Sequence, residues 1–543
     1  MVSPTSHSGT QLDPNTTAEG IANICKLLNS KEPKVVRKQI KRLTDKPDLI
    51  DIYKKKYDDT ATPAKMHRDL HFILSKVEPE NPLYQRIDRA SYAIIKDSPE
   101  EQVVQQILEQ SNLLRHGTNE QIDAAARFFI QFLPDPKVQH CIIEIGLLKD
   151  LLKVLHDPNR PQRIRFDLAC GMAEFCERNV EHGLKVLKDL LELTPSKVEN
   201  HGIIEKAALC LANIAAKNIS FRDQIMRSGI MESASMILKR EYQNELDRVY
   251  AGITKLIFNI HNQKPLPLWE DSKISFDAII YLLRVCDCIQ VVRQCLWTLA
   301  LLTHHPKARA ILLTNVHLEL LHNFLNIGYK SQKGDSPEEI NSPIRIDAAR
   351  VIRPLALRGT EQVTILLTPF KSMLKNRPDI NFLNTLKEMV DMNGPTTRTD
   401  EERVEILQML GTILVNATEA QIQQIADAEM LSILKSLLSL KDTFFEKYRG
   451  PVRIEAARVI GLIARSGAVQ VASLLRPELN LLPILKEMSD PEDRTRTIEE
   501  IQEGSQVLAN ITAKATGDQR QQIVDAGTLP MLMAILDMDE ESY

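Results

Sequence analysis

PIRIDAARVIRPLA, residues 343–356, returns as PVRIEAARVIGLIA at residues 451–464. In both copies the shared ARVI opens an apolar run of helical period, ARVIRPLALRGTEQVTILL in the first and ARVIGLIARSGAVQVASLL in the second. The copying extends outward. RTDEERVEILQMLGTILVNATEAQIQQIADAEMLSILKSLL from Arg398 aligns with RTIEEIQEGSQVLANITAKATGDQRQQIVDAGTLPMLMAIL from Arg496, and a fainter third copy, IRFDLACGMAEF, begins at Ile164. Self-similarity over tens of residues marks a solenoid, in which each unit is too small to bury its apolar face alone and does so against its neighbours. Function is then expected on an extended surface and not in a pocket.

The composition agrees. A chain of 543 residues exceeds what one compact core supports, whereas a stacked array grows in one dimension. Lys and Arg number 68 against 72 Asp and Glu, a net charge of -4, so neither nucleic acid nor an anionic membrane is attracted globally. Eight cysteines, at 25, 141, 170, 176, 210, 286, 288 and 295, lie mostly in apolar helical runs without CxxC pairing. That pattern fits reduced thiols used as small core residues and a cytoplasmic or nuclear location. With no leader-like apolar block and no uncharged run of about 18 residues, the chain is expected to be soluble, without membrane insertion.

Residues 1–18, rich in Ser, Thr and Pro, read as a disordered tail. Residues 19–100 read as an N-terminal helical capping region, with basic segments KEPKVVRKQIKR (31–42) and KKK (54–56) that fit either a solvated helix face or a patch for an acidic partner. From residue 101 to 543 Leu, Ile, Val and Ala recur at intervals of three and four, broken at short intervals by Pro, Gly and Asp. The implied units hold two or three helices in about 40 residues, the armadillo and HEAT length class. Gly146, Gly229 and Gly527 each stand between a helix and an apolar start of the next, where a left-handed glycine ends one helix; this favours armadillo units. The fold class is therefore all-α, an armadillo-type right-handed superhelical solenoid. Polar stretches at 329–342, 390–400 and 441–450 are expected to protrude as insertions.

The stretch EKAALCLANIAAKNISFRDQIMRSGIMESASMIL (205–238) resembles an armadillo unit of the importin-alpha family, and the next, 249–303, carries a similar Pro-rich linker at Lys264-Pro-Leu-Pro. The resemblance runs from about residue 101 to the end. It implies an adaptor that holds an extended basic peptide in a groove for nuclear import, engaging an importin-beta-like receptor. In that family third helices carry a Trp and, four residues on, an Asn, so that indole walls and amides share one face and clamp lysine stems and peptide backbone.

Carried over residue by residue, the groove positions are Cys170 with Glu174, Leu209 with Asn213, and Trp297 with Leu301. Asn259, Asn416 and Asn510 stand on comparable helices without the Trp, and Arg350 and Arg458 fill the matching places of the duplicated blocks. Each has a plainer reading too. Trp297 fits a core as well as a peptide wall, the Asn side chains near helix ends fit caps as well as ligands, and the two Arg fit a structural element as well as a groove. Trp269, behind Pro267, is expected to pack the linker. The thin Trp–Asn ladder suggests a changed groove, and the alternative is an armadillo scaffold or chaperone-like module that binds a folded or helical protein.

No Gly-rich phosphate loop, HExxH, GxSxG or kinase signature occurs, so an enzyme is not expected. No cofactor or metal is expected either, because Cys286 and Cys288, placed on opposite helix faces, lack partners at ligand spacing.

Overall fold

The computed structural model describes residues 99–528, apart from 194, 196, 241–242, 327–336, 358, 374–377, 393–397, 441–448, 492 and 494–495. The tail expected over 1–18 and the capping region with its basic segments at 31–42 and 54–56 lie outside the described residues, Pro99 and Glu100 apart. The chain divides into two compact units, Met1–Ile214 and Ala215–Tyr543.

In the first unit the helices are α1 (Pro99–His116), α2 (Asn119–Phe132), α3 (Pro136–Glu144), α4 (Leu148–His156), α5 (Gln162–Arg178), α6 (Val180–Leu191) and α7 (Val198–Lys217), whose last residues belong to the second unit. Local chemistry starts them. Thr118 accepts from the backbone N–H of Gln121 while the Gln121 side chain accepts from Thr118, a reciprocal cap that satisfies two otherwise orphaned donors of α2. Leu151, Val154 and Leu155 on α4 fall at helical spacing and are buried. α5 packs on α2 and α4.

The second unit contains α8 (Ile219–Arg227), α9 (Ile230–Leu238), α10 (Asp247–Asn262), α11 (Trp269–Val285), α12 (Ile289–Leu302), α13 (Pro306–Leu312), α14 (Asn315–Asn326), α15 (Pro337–Ile352), α16 (Thr360–Leu367), α17 (Phe382–Val390), α18 (Asp400–Asn416), α19 (Glu419–Ile425), α20 (Leu431–Leu438), α21 (Arg449–Ser466), α22 (Ala468–Leu474), α23 (Leu481–Met488), α24 (Ile498–Lys514) and α25 (Gly517–Asp525). Two shorter helices precede each long one from α13 onward, and the long helices pack on one another in succession: α10 on α12, then α15, α18, α21 and α24. The helix before each long one, α14, α17, α20 and α23, lies against it. This is the armadillo unit, and the fold is an all-α repeat array. Among the described residues no strand forms; Phe370 and Ile380 make a single antiparallel bridge.

The three glycines singled out by sequence are the glycines with positive φ among the described residues, at 67°, 77° and 71° for Gly146, Gly229 and Gly527. A side chain would strain each of these sites. Of the expected insertions, 329–336, 393–397 and 441–448 lie outside the described residues, and the rest is partly helix. α15 already begins at Pro337 and α21 at Arg449, and Thr399 and Glu402 form the reciprocal cap that opens α18. Helix starts are themselves polar, because caps and acidic first turns satisfy the free N–H groups there, so composition alone overstates loop length. Cys286 and Cys288 do not occupy helix faces. They lie in the extended link between α11 and α12, where the Cys288 N–H donates to the Cys286 sulfur at 3.4 Å.

Ala349 on α15 and Ala457 on α21 are buried where long helices meet, at 1% and 0% exposure. Changing either to Leu is expected to cost about 1–3 kcal/mol in urea unfolding, since a close-packed contact has no room for added methylenes. An unchanged midpoint in both variants would contradict this packing.

Candidate functional site

The copied phrase carries an arginine that the structure buries in every copy. Arg345 on α15 pairs with Glu402 of α18, and Arg453 on α21 pairs with Glu500 of α24 at 2.5–2.6 Å, with Arg453 at 0% and Glu500 at 1% exposure. Glu402 and Glu500 are also the glutamates of the reciprocal caps formed with Thr399 and Thr497, so one carboxylate closes its own helix start and fastens the preceding long helix. In the faint third copy Arg165 donates to the Leu155 carbonyl at 2.7 Å and reaches Glu199 and Asn200 at 3.2 and 3.0 Å. The phrase is conserved between copies within this chain because it is a buried inter-helix fastening.

One turn further along, arginines emerge on the open face of the same long helices and form a continuous ladder. Arg293 of α12 donates to Asp347 of α15 at 2.9 Å. Arg350 binds Glu405 of α18 at 2.7 and 2.9 Å, and Arg353 donates to Gln408 at 2.6 Å. Gln408 donates to Glu455 of α21 at 3.1 Å, and Arg458 binds Glu455, Glu499 and Glu503 at 2.7, 2.9 and 2.7 Å. Four guanidinium groups thus face five carboxylates. Arg350 and Arg458 are about two-fifths exposed, at 42% and 39%, with Asp347, Glu405 and Glu455 beneath them at 0%, 13% and 11%, while Glu499 beside Arg458 stands further out, at 59%. Burial pushes the Asp347 carboxyl up from the usual range, opposed by the bonds from Arg293 and the Trp297 indole.

Trp297 is half-buried on this face and not in the core. Its ring lies 6.0 Å from Phe258 of α10, and the Arg293 guanidinium stacks on it at 5.0 Å, the position a lysine stem would take in an indole-walled groove. Leu301, four residues on, is half-buried beside it. Asn259 of α10 is half-buried. Asn416 donates to the Thr412 carbonyl in its own helix, and Asn510 donates to the Gly461 carbonyl of α21 at 3.2 Å while accepting from Gln506, so both amides serve the fold. In the first unit Cys170 and Glu174 lie on α5 and Leu209 and Asn213 on α7; Glu174 and Asn213 are exposed, and burial raises the Cys170 thiol. The predicted residues of the second unit therefore fall on one helical layer, but Arg350 and Arg458 are bonded within it.

The linker resemblance at Lys264 has a structural counterpart. Asn218 caps α8 by accepting from the Phe221 N–H at 2.9 Å, and the buried Arg222 donates to the Pro265 carbonyl at 2.5 Å across a cis Lys264–Pro265 bond. Trp269, expected to pack the linker, has its ring against Phe276 of α11 and His305, with centroids 5.5 and 6.0 Å away.

Sequence reasoning did not single out Arg293, Asp347, Arg353, Glu405, Gln408, Glu455, Glu499 or Glu503. A signal existed: Glu405 and Glu503 occupy the same place in the aligned copies, and each follows a copied arginine by one repeat.

No protein-family model and no curated protein matches the chain. Among solved structures, an engineered protein aligns with a TM-score of 0.53 and 21% identity over 80% of this chain and 95% of that one, a likeness that extends to the fold alone. A designed armadillo repeat protein and a second one, solved in complex with the peptide (KR)4, align with TM-scores of 0.36 at 20% and 21% identity, over 48% of this chain and 93% and 92% of theirs.

Proposed function

We propose that this chain is a protein-interaction scaffold, and not an enzyme, that docks an acidic polypeptide partner on the open face of α12, α15, α18, α21 and α24. The observation that carries the reading is the ladder: the positions where an importin-alpha-like groove keeps indoles and amides free hold the part-exposed Arg350 and Arg458, each backed by carboxylates. A backed guanidinium keeps N–H donors for an incoming carboxylate and offers no acceptor to a lysine ammonium. Poly-L-glutamate is expected to bind the full chain in fluorescence anisotropy at low salt and to dissociate as salt rises, with Arg350→Ala/Arg458→Ala weakening it about tenfold. A lysine-rich localisation peptide is expected to bind more weakly than about 100 µM. Tight, salt-sensitive binding of that peptide alone would reverse the assignment.

The importin-alpha-like adaptor for basic nuclear-localisation peptides is the second reading, and the half-buried Trp297 on the same face favours it. Under it Trp297→Ala abolishes peptide binding, and an importin-beta-like receptor would engage the basic segments at 31–42 and 54–56. Both readings place the protein in the cytoplasm and nucleus. The seven cysteines among the described residues are free thiols, in keeping with those compartments.

A further inference from the structure

The two aligned copies that begin at Arg398 and Arg496 differ at one charge cluster, and the difference is informative. In the second copy Arg496 meets three carboxylates, Glu487 at 2.8 Å, Asp493 at 3.3 Å and Glu500 at 4.0 Å. In the first copy Arg398 stands just before the cap of α18 and bonds through Nη2 to the Asn326 carbonyl at 3.1 Å, while its Nε–H is buried without a partner. Arg403 occupies the place of Ile501; it pairs with Asp400 at 2.8 Å through Nη1, and its Nε–H is likewise buried without a partner. Arg345 completes the group through Glu402. All three arginines are more than nine-tenths buried, at 5%, 8% and 5% exposure for Arg345, Arg398 and Arg403.

Among the described residues no carboxylate bonds Arg398 directly. Glu402 is shared between Arg345 and the Thr399 N–H, Asp400 serves Arg403, and the exposed Glu388, which copies Glu487 in the Lys-Glu-Met motif, acts on Arg398 only electrostatically. Burial and the neighbouring Arg345 pull the Arg398 guanidinium down from its ordinary value. The twin site therefore receives two further negative charges, from Glu487 and Asp493, that this site lacks as bonded partners. The first turn of α18, a helix of 17 residues, sets Asp400, Glu401 and Glu402 against the partial positive charge of its own N–H groups. The Ser342 and Thr399 hydroxyls bond each other at 3.0 Å, which leaves one hydroxyl hydrogen to donate at the same place.

We propose that Arg398 and Arg403, with Arg345 behind them, bind a phosphoryl group at the start of α18. One phosphoryl group carries about -1.5 to -2 charge, as much as the two carboxylates of the twin site, and offers several acceptor oxygens to the unpartnered Nε–H groups of Arg398 and Arg403. The site is separate from the ladder and takes the same group whether it arrives as free phosphate or on a phosphoserine of a polypeptide.

Isothermal titration of the full chain with potassium phosphate tests this, with potassium chloride at equal ionic strength as the control. Heat of binding is expected with phosphate and not with chloride. Arg398→Ala is expected to weaken it about tenfold, the scale of a lost charge-assisted bond. Arg403→Ile, which installs the residue the twin copy already tolerates at Ile501, is expected to weaken it while leaving thermal unfolding cooperative, and Arg496→Ala is expected to change nothing. A Gly-Ser-Gly peptide carrying phosphoserine, run beside its unphosphorylated form, separates the sources. Tighter binding of the phosphorylated peptide than of phosphate identifies a polypeptide ligand, and equal or weaker binding identifies free phosphate. No phosphate response, or one that survives both Arg398→Ala and Arg403→Ile, overturns the proposal and leaves the reading of the ladder untouched.

Discussion

Glu500→Ala is expected to destabilise the second unit by about 3–5 kcal/mol, because it strands the Arg453 guanidinium at 0% exposure without its carboxylate. The same change removes the acceptor for the Thr497 N–H at 3.0 Å and opens the cap of α24. Arg496, 4.0 Å away, loses one of its three carboxylates as well. Urea unfolding followed by hydrogen exchange at the amides of α21 and α24 reads the effect. Arg453→Met/Glu500→Leu is expected to recover much of the loss, since well-packed apolar residues often replace a buried ion pair at little cost. The recovery stays incomplete because the Leu440 carbonyl, which Arg453 serves at 2.6 Å, goes unpaired. A Glu500→Ala chain within about 1 kcal/mol of wild type would mean that the fastening is ornamental.

His261 makes the fold sensitive to mild acid. It lies wholly buried on α10 with neither ring nitrogen bonded, and burial, then His305 and Arg222, lower its pKa to about 3. Above about pH 6.5 the ring is neutral whether the chain is folded or not. Below it the unfolded chain takes up a proton that the folded chain refuses, so stability falls as pH drops from about 6.5 toward 3. The loss from this residue alone is about 2 kcal/mol at pH 5 and about 4 kcal/mol at pH 3. His261→Leu removes the proton site while filling the space. Measured by urea unfolding at pH 7 and pH 5, the wild type is expected to lose about 2 kcal/mol more than the variant between the two values. Equal losses would place the acid sensitivity elsewhere.

These two residues show where reading along the chain stops. Helical period, glycine placement and the duplicated phrase are local or statistical properties. They were enough for an all-α repeat array, for the left-handed Gly146, Gly229 and Gly527, and for the layer of long helices on which the second-unit candidates fall. They were not enough to tell Arg453 from Arg458, which differ by five positions on one helix yet stand at 0% and 39% exposure. The turn of the helix that separates them decides that one fastens the repeats and the other faces outward, and the deciding partners, Glu500 and Glu503, come from the next repeat.

The candidate groove was legible in the same partial way. Trp297 reads from sequence as either core or wall, and packing against Phe258 and under Arg293 settles its place on the open face. Asn416 and Asn510 read as caps or ligands, and their bonds to Thr412 and Gly461 carbonyls assign them to the fold. What the amino-acid order determined by itself was the repeating unit and therefore the class of fold, because burial of an apolar stripe needs only the period of the helix. What tertiary structure alone decided was which charges neutralise one another, because an ion pair forms between side chains brought within about 4 Å, and these partners lie one whole repeat apart along the chain.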